Sequence, residues 1–335
     1  MFSANFLEVL VSLVFRTSLP VVASTAAATA LAAPLVLKAL ARAQLVDVPN
    51  LRSSHTVPTP RGGGAACIIG AAVGFSIGRT GPFETHPGVA AAVGSLAALG
   101  LADDKWGLPA TFRLAAQASI GGALGLAIGG STSALVGALA LPTIVNAVNF
   151  MDGVNGITCA TAAAWGFSRL LKMDQSSAAP SAIALGSSLG FAPWNVPRAK
   201  MFLGDAGSYY FGGIVAATAL ASFSRSGTRG LFESLSPLGF YLVDTGTTMA
   251  RRAYRGEKLM EAHRSHAYQR LADREGWEHW HVAALAGVVA LTSGLSSTTM
   301  LGAARALVPA LCLSALPDLL QYAEELSDIR PERLT

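Results

Sequence analysis

Long apolar blocks alternate with short polar connectors along this chain, and most of the charge lies in the connectors. The apolar runs occupy about 19–41, 62–78, 87–102, 111–129, 132–149, 156–171, 179–194, 208–223, 231–250, 279–296 and 298–318. Blocks this long read as buried or membrane helices rather than strands. Several fall short of the roughly 20 residues that cross a bilayer unaided, so their helices are expected to extend into the connectors. The stretch 2–15 is expected to be a further span or an interfacial helix. The pattern predicts an all-α fold: a polytopic integral membrane bundle of about 10–11 transmembrane helices, with residues 1–335 forming one integral domain.

Composition supports the pattern. Hydrophobic residues make up 52% of the chain and charged residues 13%, with a mean hydropathy of +0.47. Soluble domains carry about 25% charged residues. The blocks are rich in Ala and Gly, which let membrane helices approach closely. The longest polar stretch, roughly 251–278, is too short for a soluble domain. Cys67, Cys159 and Cys312 lie far apart in apolar blocks, so buried inert thiols are expected. The N-terminal stretch lacks an early positive charge and a small-residue cleavage site, which argues against a signal peptide. A net charge of +4 is too slight to imply nucleic acid as a partner.

The placement of charge says more than its total. If 42–61 is cytoplasmic and the blocks alternate from there, Arg16, Arg79, Arg169, Lys172, Arg225, Arg229 and Arg305 fall on the outer side. The remaining 17 of the 24 Lys and Arg residues fall on the inner side. The positive-inside rule therefore orients the bundle with 42–61, 103–110, 150–155, 195–207 and 251–278 in the cytoplasm.

That orientation brings five polar segments to one face: VDVPNLRSSHTVPTPRGGG (46–64), ADDKWG (102–107), NAVNFMDGVNG (146–156), NVPRAKMFLGDAGS (195–208) and RRAYRGEKLMEAHRSHAYQRL (251–271). Asp103 and Asp104 are adjacent, so one is forced to hold a proton unless a cation is near. The pair suits a metal, a phosphate site or acid/base work, although taken alone it reads first as a polar helix end neutralised by Lys105. Asp205 lies beside glycines just before a block, where a carboxylate either holds Mg²⁺ or caps a helix. His263, Arg264, His266 and Arg270 are what a phosphate site recruits, or else a basic loop at anionic lipid. Asp244 lies inside a block and needs a partner; Arg251 or Arg252 is the expected one. In 146–156 the polar residues recur every third position. An α-helix turns such a series through about −60° per step, so the four cannot share one stripe. Gly153 and Gly156 predict that the helix stops near Asp152.

In this order the motifs PTPRGGG, DD, N-x-x-N-x-x-D-G-x-N-G, FLGDxGS and HRxHxYQRL resemble those of the polyprenyl-phosphate N-acetylhexosamine-1-phosphate transferases, of the glycosyltransferase family 4 type. The resemblance covers roughly 46–271, about two thirds of the chain. It implies a membrane bundle of the bacterial inner membrane with its active site facing the cytoplasm. The implied reaction moves an N-acetylhexosamine 1-phosphate from a UDP-N-acetyl sugar to undecaprenyl phosphate and releases UMP. Mg²⁺ is the implied cofactor, with Mn²⁺ as its substitute, and a homodimer is the family-level expectation.

Carried over residue by residue, the resemblance makes Asp103, Asp104, Asp152 and His266 the catalytic group, with Asp103 orienting or deprotonating the attacking phosphate. Asp205, with Asp152, is the implied metal ligand. Asn146, Asn149, Asn195 and Phe202 are the implied nucleotide contacts, Phe202 being the uracil-stacking ring. Arg52, His55, Asn155, Gly204, His263 and Arg264 complete the implied substrate contacts. Many relatives have an aspartate at Asn155, so a carboxylate role there is not expected. HAYQRL in place of a histidine run argues for the O-antigen-initiating branch over the phospho-MurNAc-pentapeptide translocase. A secondary transporter coupled through Asp103, Asp152 and Asp244 is the reading from another class. The aspartates cluster at inner helix ends and no inverted repeat is visible, both of which count against it.

Overall fold

The apolar blocks become helices, and turn-forming residues end them. A computed structural model describes residues 4–49, 55–78, 86–172, 175–259, 261, 263–274, 277–296 and 300–329. Among them are eleven α-helices: α1 (Ala4–Arg42), α2 (Gly64–Gly78), α3 (Pro87–Trp106), α4 (Ala110–Met151), α5 (Ile157–Leu171), α6 (Gln175–Asn195), α7 (Gly204–Leu235), α8 (Gly239–Tyr254), α9 (Ala267–Ala272), α10 (His279–Ser296) and α11 (Met300–Ile329). The only strands among the described residues are β1 (Val46–Asp47) and β2 (Thr59–Pro60), an antiparallel pair with Val46 opposite Pro60. The fold is all-α, as expected.

Several boundaries differ from the sequence expectation. Residues 4–42 form one continuous helix, so the described part of 2–15 is the first part of α1 rather than a separate span. The blocks 111–129 and 132–149 are the two arms of α4, which reverses at Gly130 (φ 75°, ψ −162°). Only glycine adopts that backbone without strain. The block 231–250 is divided: α7 bends at Gly227 and ends at Leu235, a 3-10 turn covers Ser236–Leu238, and α8 begins at Gly239. The last block continues well past 318 as α11.

The arms of α4 are held backbone to backbone. A Cβ on Gly121 would lie 2.1 Å from the Gly137 carbonyl oxygen, and one on Gly125 2.1 Å from that of Ser133. Elsewhere many hydroxyls lie inside, and a set of leucines lies outside. Thr25, Thr29, Ser181 and Ser187 are buried, whereas Leu31, Leu35, Leu126, Leu135 and Leu139 are each more than 60% exposed. Among the described residues two helices, Ser18–Arg42 and Ala110–Met151, are long and apolar enough to cross a membrane. Cys67 and Cys159 are buried as expected, but Cys312 is exposed.

Fully buried aromatic side chains, among them Trp165, Tyr209, Tyr210, Tyr241 and Tyr268, form the centre of the core. The connector after β2 runs alongside residues 201–203. Phe202 N–H donates to the Pro60 carbonyl and Gly63 N–H to the Phe202 carbonyl, both at 2.8 Å. This pairing fixes Arg61 beside the head of α7.

Candidate active site

The head of α7 is the point on which the polar segments converge. A helix start leaves backbone N–H groups without intrahelical partners. Here the carboxyl of Asp104, in the last turn of α3, accepts from the N–H of Asp205 at 2.9 Å and of Ala206 at 2.8 Å. Asp104 thus caps α7 from another helix. Gly204 makes room for it with φ +75°, since a Cβ there would lie 2.7 Å from Asp104 Oδ2.

Arg61 closes the arrangement. Its Nε donates to Asp104 Oδ1 at 2.9 Å and its Nη2 to Asp205 Oδ2 at 2.5 Å. The other Asp205 oxygen accepts from the Asn149 amide at 2.7 Å, and that amide also reaches Ser208 Oγ at 2.9 Å. Asp103 turns to other partners. It accepts from Leu108 N–H, Arg113 Nη1 and Tyr209 O–H at 2.8, 2.7 and 2.9 Å.

Asp152 is the C-cap residue of α4, where the helix stops as its glycines predict. It feels the charges of Asp205, Arg61 and Asp104. The carboxyls of Asp104, Asp152 and Asp205 lie beyond the apolar stretches 87–102, 132–149 and 208–223. Burial raises Asp152 from 3.8 to about 7, the Thr158 side chain opposing it and Asp205 adding to it. Burial and Asp205 likewise lift Asp104 to about 6, against the Ala206 N–H and Arg61. Asp205 is raised by burial too, with Arg61 pulling the other way.

The HRSHAYQRL segment reaches the site through Tyr268, whose hydroxyl donates to the Phe150 carbonyl at 2.9 Å. His266 is buried at the head of α9, stacked on His263 with ring centroids 4.9 Å apart. Burial and the neighbouring His266 lower His263 to about 4. Arg264 is paired with Asp273. Asp244 does not pair with Arg251 or Arg252. It accepts from the N–H of Ala267 and Tyr268 at 2.9 and 3.3 Å and faces His266, capping α9 as Asp104 caps α7. Arg252 instead pairs with Glu257, and Arg251 with Asp318. A buried carboxylate needs its donors at once, and the α9 head is closer than the α8 arginines.

Other expected contacts have other partners. Asn146 donates to Gln117 Oε1 at 2.6 Å, across the α4 hairpin and away from Asp205. Asn195 is buried and ties two connectors together, accepting from Gly156 N–H at 2.6 Å and donating to the Met201 carbonyl at 3.1 Å. Asn155 bonds elsewhere: its backbone N–H donates to His279 Nδ1 at 3.3 Å and its side-chain amide to the Pro197 carbonyl at 3.4 Å. His55 meets the Phe202 ring edge-on, with centroids 4.7 Å apart. Arg52 lies outside the described residues.

Sequence reasoning missed Arg61, Arg113, Gln117, Tyr209, Tyr268 and His279. Arg61 stood within the PTPRGGG motif without a role. Arg113 is the one charged residue between 108 and 145, and an ion in an apolar block requires a partner. The rest carried no local signal.

No group of three or more His, Cys, Asp or Glu side chains among the described residues is arranged to hold a metal ion. Mg²⁺ needs no such cage, because one or two carboxylates with substrate phosphates and water complete its octahedron. Asp205 and Asp104 already converge on one positive group, the Arg61 guanidinium. These are hard oxygen donors facing a cation, and the residues fit Mg²⁺.

An all-α protein with paired carboxylates, an arginine and amides gathered at its helix ends defines a helical enzyme class suited to anionic, phosphate-bearing substrates. The glycosyl transferase family 4 model matches residues 86–223. Decaprenyl-phosphate N-acetylglucosaminephosphotransferase of Mycobacterium leprae is 33% identical over 313 residues, 77% of each chain. The protein of the same name from Mycolicibacterium smegmatis is 34% identical over 278 residues, 68% of each chain. The probable undecaprenyl-phosphate N-acetylglucosaminyl 1-phosphate transferase of Bacillus subtilis is 28% identical over 270 residues, 71% of this chain and 72% of that one. The chain belongs to glycosyl transferase family 4, the family of the polyprenyl-phosphate N-acetylhexosamine-1-phosphate transferases.

Proposed function

We propose that this protein transfers an N-acetylhexosamine 1-phosphate from a UDP-sugar to undecaprenyl phosphate in the bacterial inner membrane. The observation that carries the reading is the convergence of three separate segments, through Arg61, Asp104 and Asn149, on the head of α7. There Arg61 bridges Asp104 and Asp205 while Asn149 holds Asp205 from the opposite side. The relatives' names supply the reaction class: each is a polyprenyl-phosphate N-acetylglucosamine phosphotransferase. Exposed leucines on the helices, together with hydroxyls buried between them, support a multi-pass bundle in lipid, with the site facing the cytoplasm by the charge bias.

An oxygen of the lipid phosphate attacks the phosphorus next to the sugar, and the bond from that phosphorus to UMP breaks. Asp103, held by Arg113 and Tyr209, orients the attacking phosphate and takes any proton it carries. Asp205, with Asp152 beside it, would hold Mg²⁺, which when bound screens the donor diphosphate. Asn149 fixes the Asp205 carboxyl, and Phe202 with His55 forms a face for the base. A transporter coupled through Asp103, Asp152 and Asp244 is disfavoured, because Asp244 is already held by the N–H groups at the head of α9.

The test is UMP release by purified protein given undecaprenyl phosphate and a panel of UDP-N-acetyl sugars. Release is expected to cease with a chelator and to fall by about a hundredfold or more in Asp205→Asn. Failure of every sugar to release UMP sinks the reading.

A further inference from the structure

We propose that Arg61 is the resident counter-cation of the Asp205 metal position, and that a divalent cation displaces it. The inference rests on the metal reading above and goes beyond it by assigning Arg61 an exchange role.

Buried carboxylates that face each other cannot be left without positive charge. Asp104 and Asp205 have side chains only 3% and 11% exposed, and one guanidinium bridges them. The other Asp205 oxygen is held by a neutral amide, Asn149. Asp104 is otherwise met by the backbone N–H groups of Asp205 and Ala206. Arg61 therefore supplies the positive charge that fixes the pair.

The same oxygen cannot serve both cations. Asp205 Oδ2 lies 2.5 Å from Arg61 Nη2. A Mg²⁺ bound to it at about 2.1 Å would sit within a few ångströms of the guanidinium, in a pocket of low dielectric. Once a divalent cation supplies the charge the pair needs, Arg61 can leave, its side chain being 42% exposed. Its backbone stays pinned by the pairing of 60–63 with Phe202, so the released guanidinium remains at the site mouth. There it meets the anionic donor, where a planar fork suits phosphate oxygens. Metal loading and presentation of Arg61 to phosphate become one event.

The experiment is a Mn²⁺ titration of purified full-length protein in detergent, read by electron paramagnetic resonance, with wild type, Arg61→Gln, Arg61→Lys and Asp205→Asn. Removing the competitor is expected to tighten Mn²⁺ binding about tenfold in Arg61→Gln. Arg61→Lys, which cannot bridge both carboxylates, is expected to bind with intermediate affinity, and Asp205→Asn to lose binding. Thermal unfolding without metal is expected to fall in Arg61→Gln and recover with Mn²⁺. Should Arg61→Gln not fold, the tightening in Arg61→Lys carries the test. Unchanged or weaker Mn²⁺ binding in the Arg61 variants overturns the exchange and leaves the metal reading standing. No binding to any form overturns both.

Discussion

At the level of single residues, the chemistry depends on carboxylates that are also structural. Asp104 ends α3, caps α7 and meets Arg61, so it positions Asp205 more than it reacts. Gly204 is what permits this. Its left-handed backbone, and the 2.7 Å that a Cβ would leave to Asp104 Oδ2, exclude any side chain. Gly204→Ala is therefore expected to destabilise the protein by about 2 kcal/mol, through backbone strain and a displaced carboxylate. Thermal unfolding in detergent measures the loss, and UMP release should fall further than stability does. A variant as stable and active as wild type would refute this account of Gly204. The DD pair was legible in the sequence, but its division of labour was not. Two adjacent residues on a helix point about 100° apart, and only the neighbours reveal that Asp103 takes Arg113 while Asp104 takes α7.

Helices meet at this site because small residues let their backbones approach. Gly64 and Gly207 lie at the heads of α2 and α7, where a Cβ on Gly64 would fall 2.2 Å from Gly207 Cα. The α4 hairpin is closed in the same way, and it carries Gln117 opposite Asn146 and then Asn149 to Asp205. Gly121→Val is expected to splay the arms, costing several kcal/mol by overpacking and at least about tenfold in UMP release as Asn149 shifts. Gly94→Ala, where a Cβ meets nothing within 4 Å, serves as the control and should be neutral in both. Equal behaviour of the two variants would count against the hairpin as the device that sets Asn149. The sequence showed two apolar blocks here and a few residues between them. It did not show that they fold back at Gly130, because a glycine in an apolar run reads equally as a packing residue.

For the molecule as a whole, the acidic cluster sets a dependence on pH. Asp104 and Asp152 stand above the ordinary 3.8, at about 6 and about 7. A raised carboxyl holds its proton more tightly in the folded state than in the unfolded one. Its stabilising contribution is complete below the unfolded value and is lost as pH rises through the folded one. Metal-free protein is thus expected to lose stability from these groups between pH 4 and 7, and Asp152→Asn to remove its share of that slope. Thermal unfolding with a chelator across that range checks it; identical slopes in variant and wild type would reject it. By itself the sequence determined the helical class, the polar segments, the helix stop near Asp152 and the motif order that marks the family, because periodicity, glycine and spacing are local properties. Tertiary structure decided which partner each charge takes: Arg61 for Asp104 and Asp205, Arg113 for Asp103, the head of α9 for Asp244, and Gln117 for Asn146. Those pairings join residues up to 144 positions apart. They are settled by which helix ends pack together and by the need of every buried charge and amide to find a donor or acceptor there.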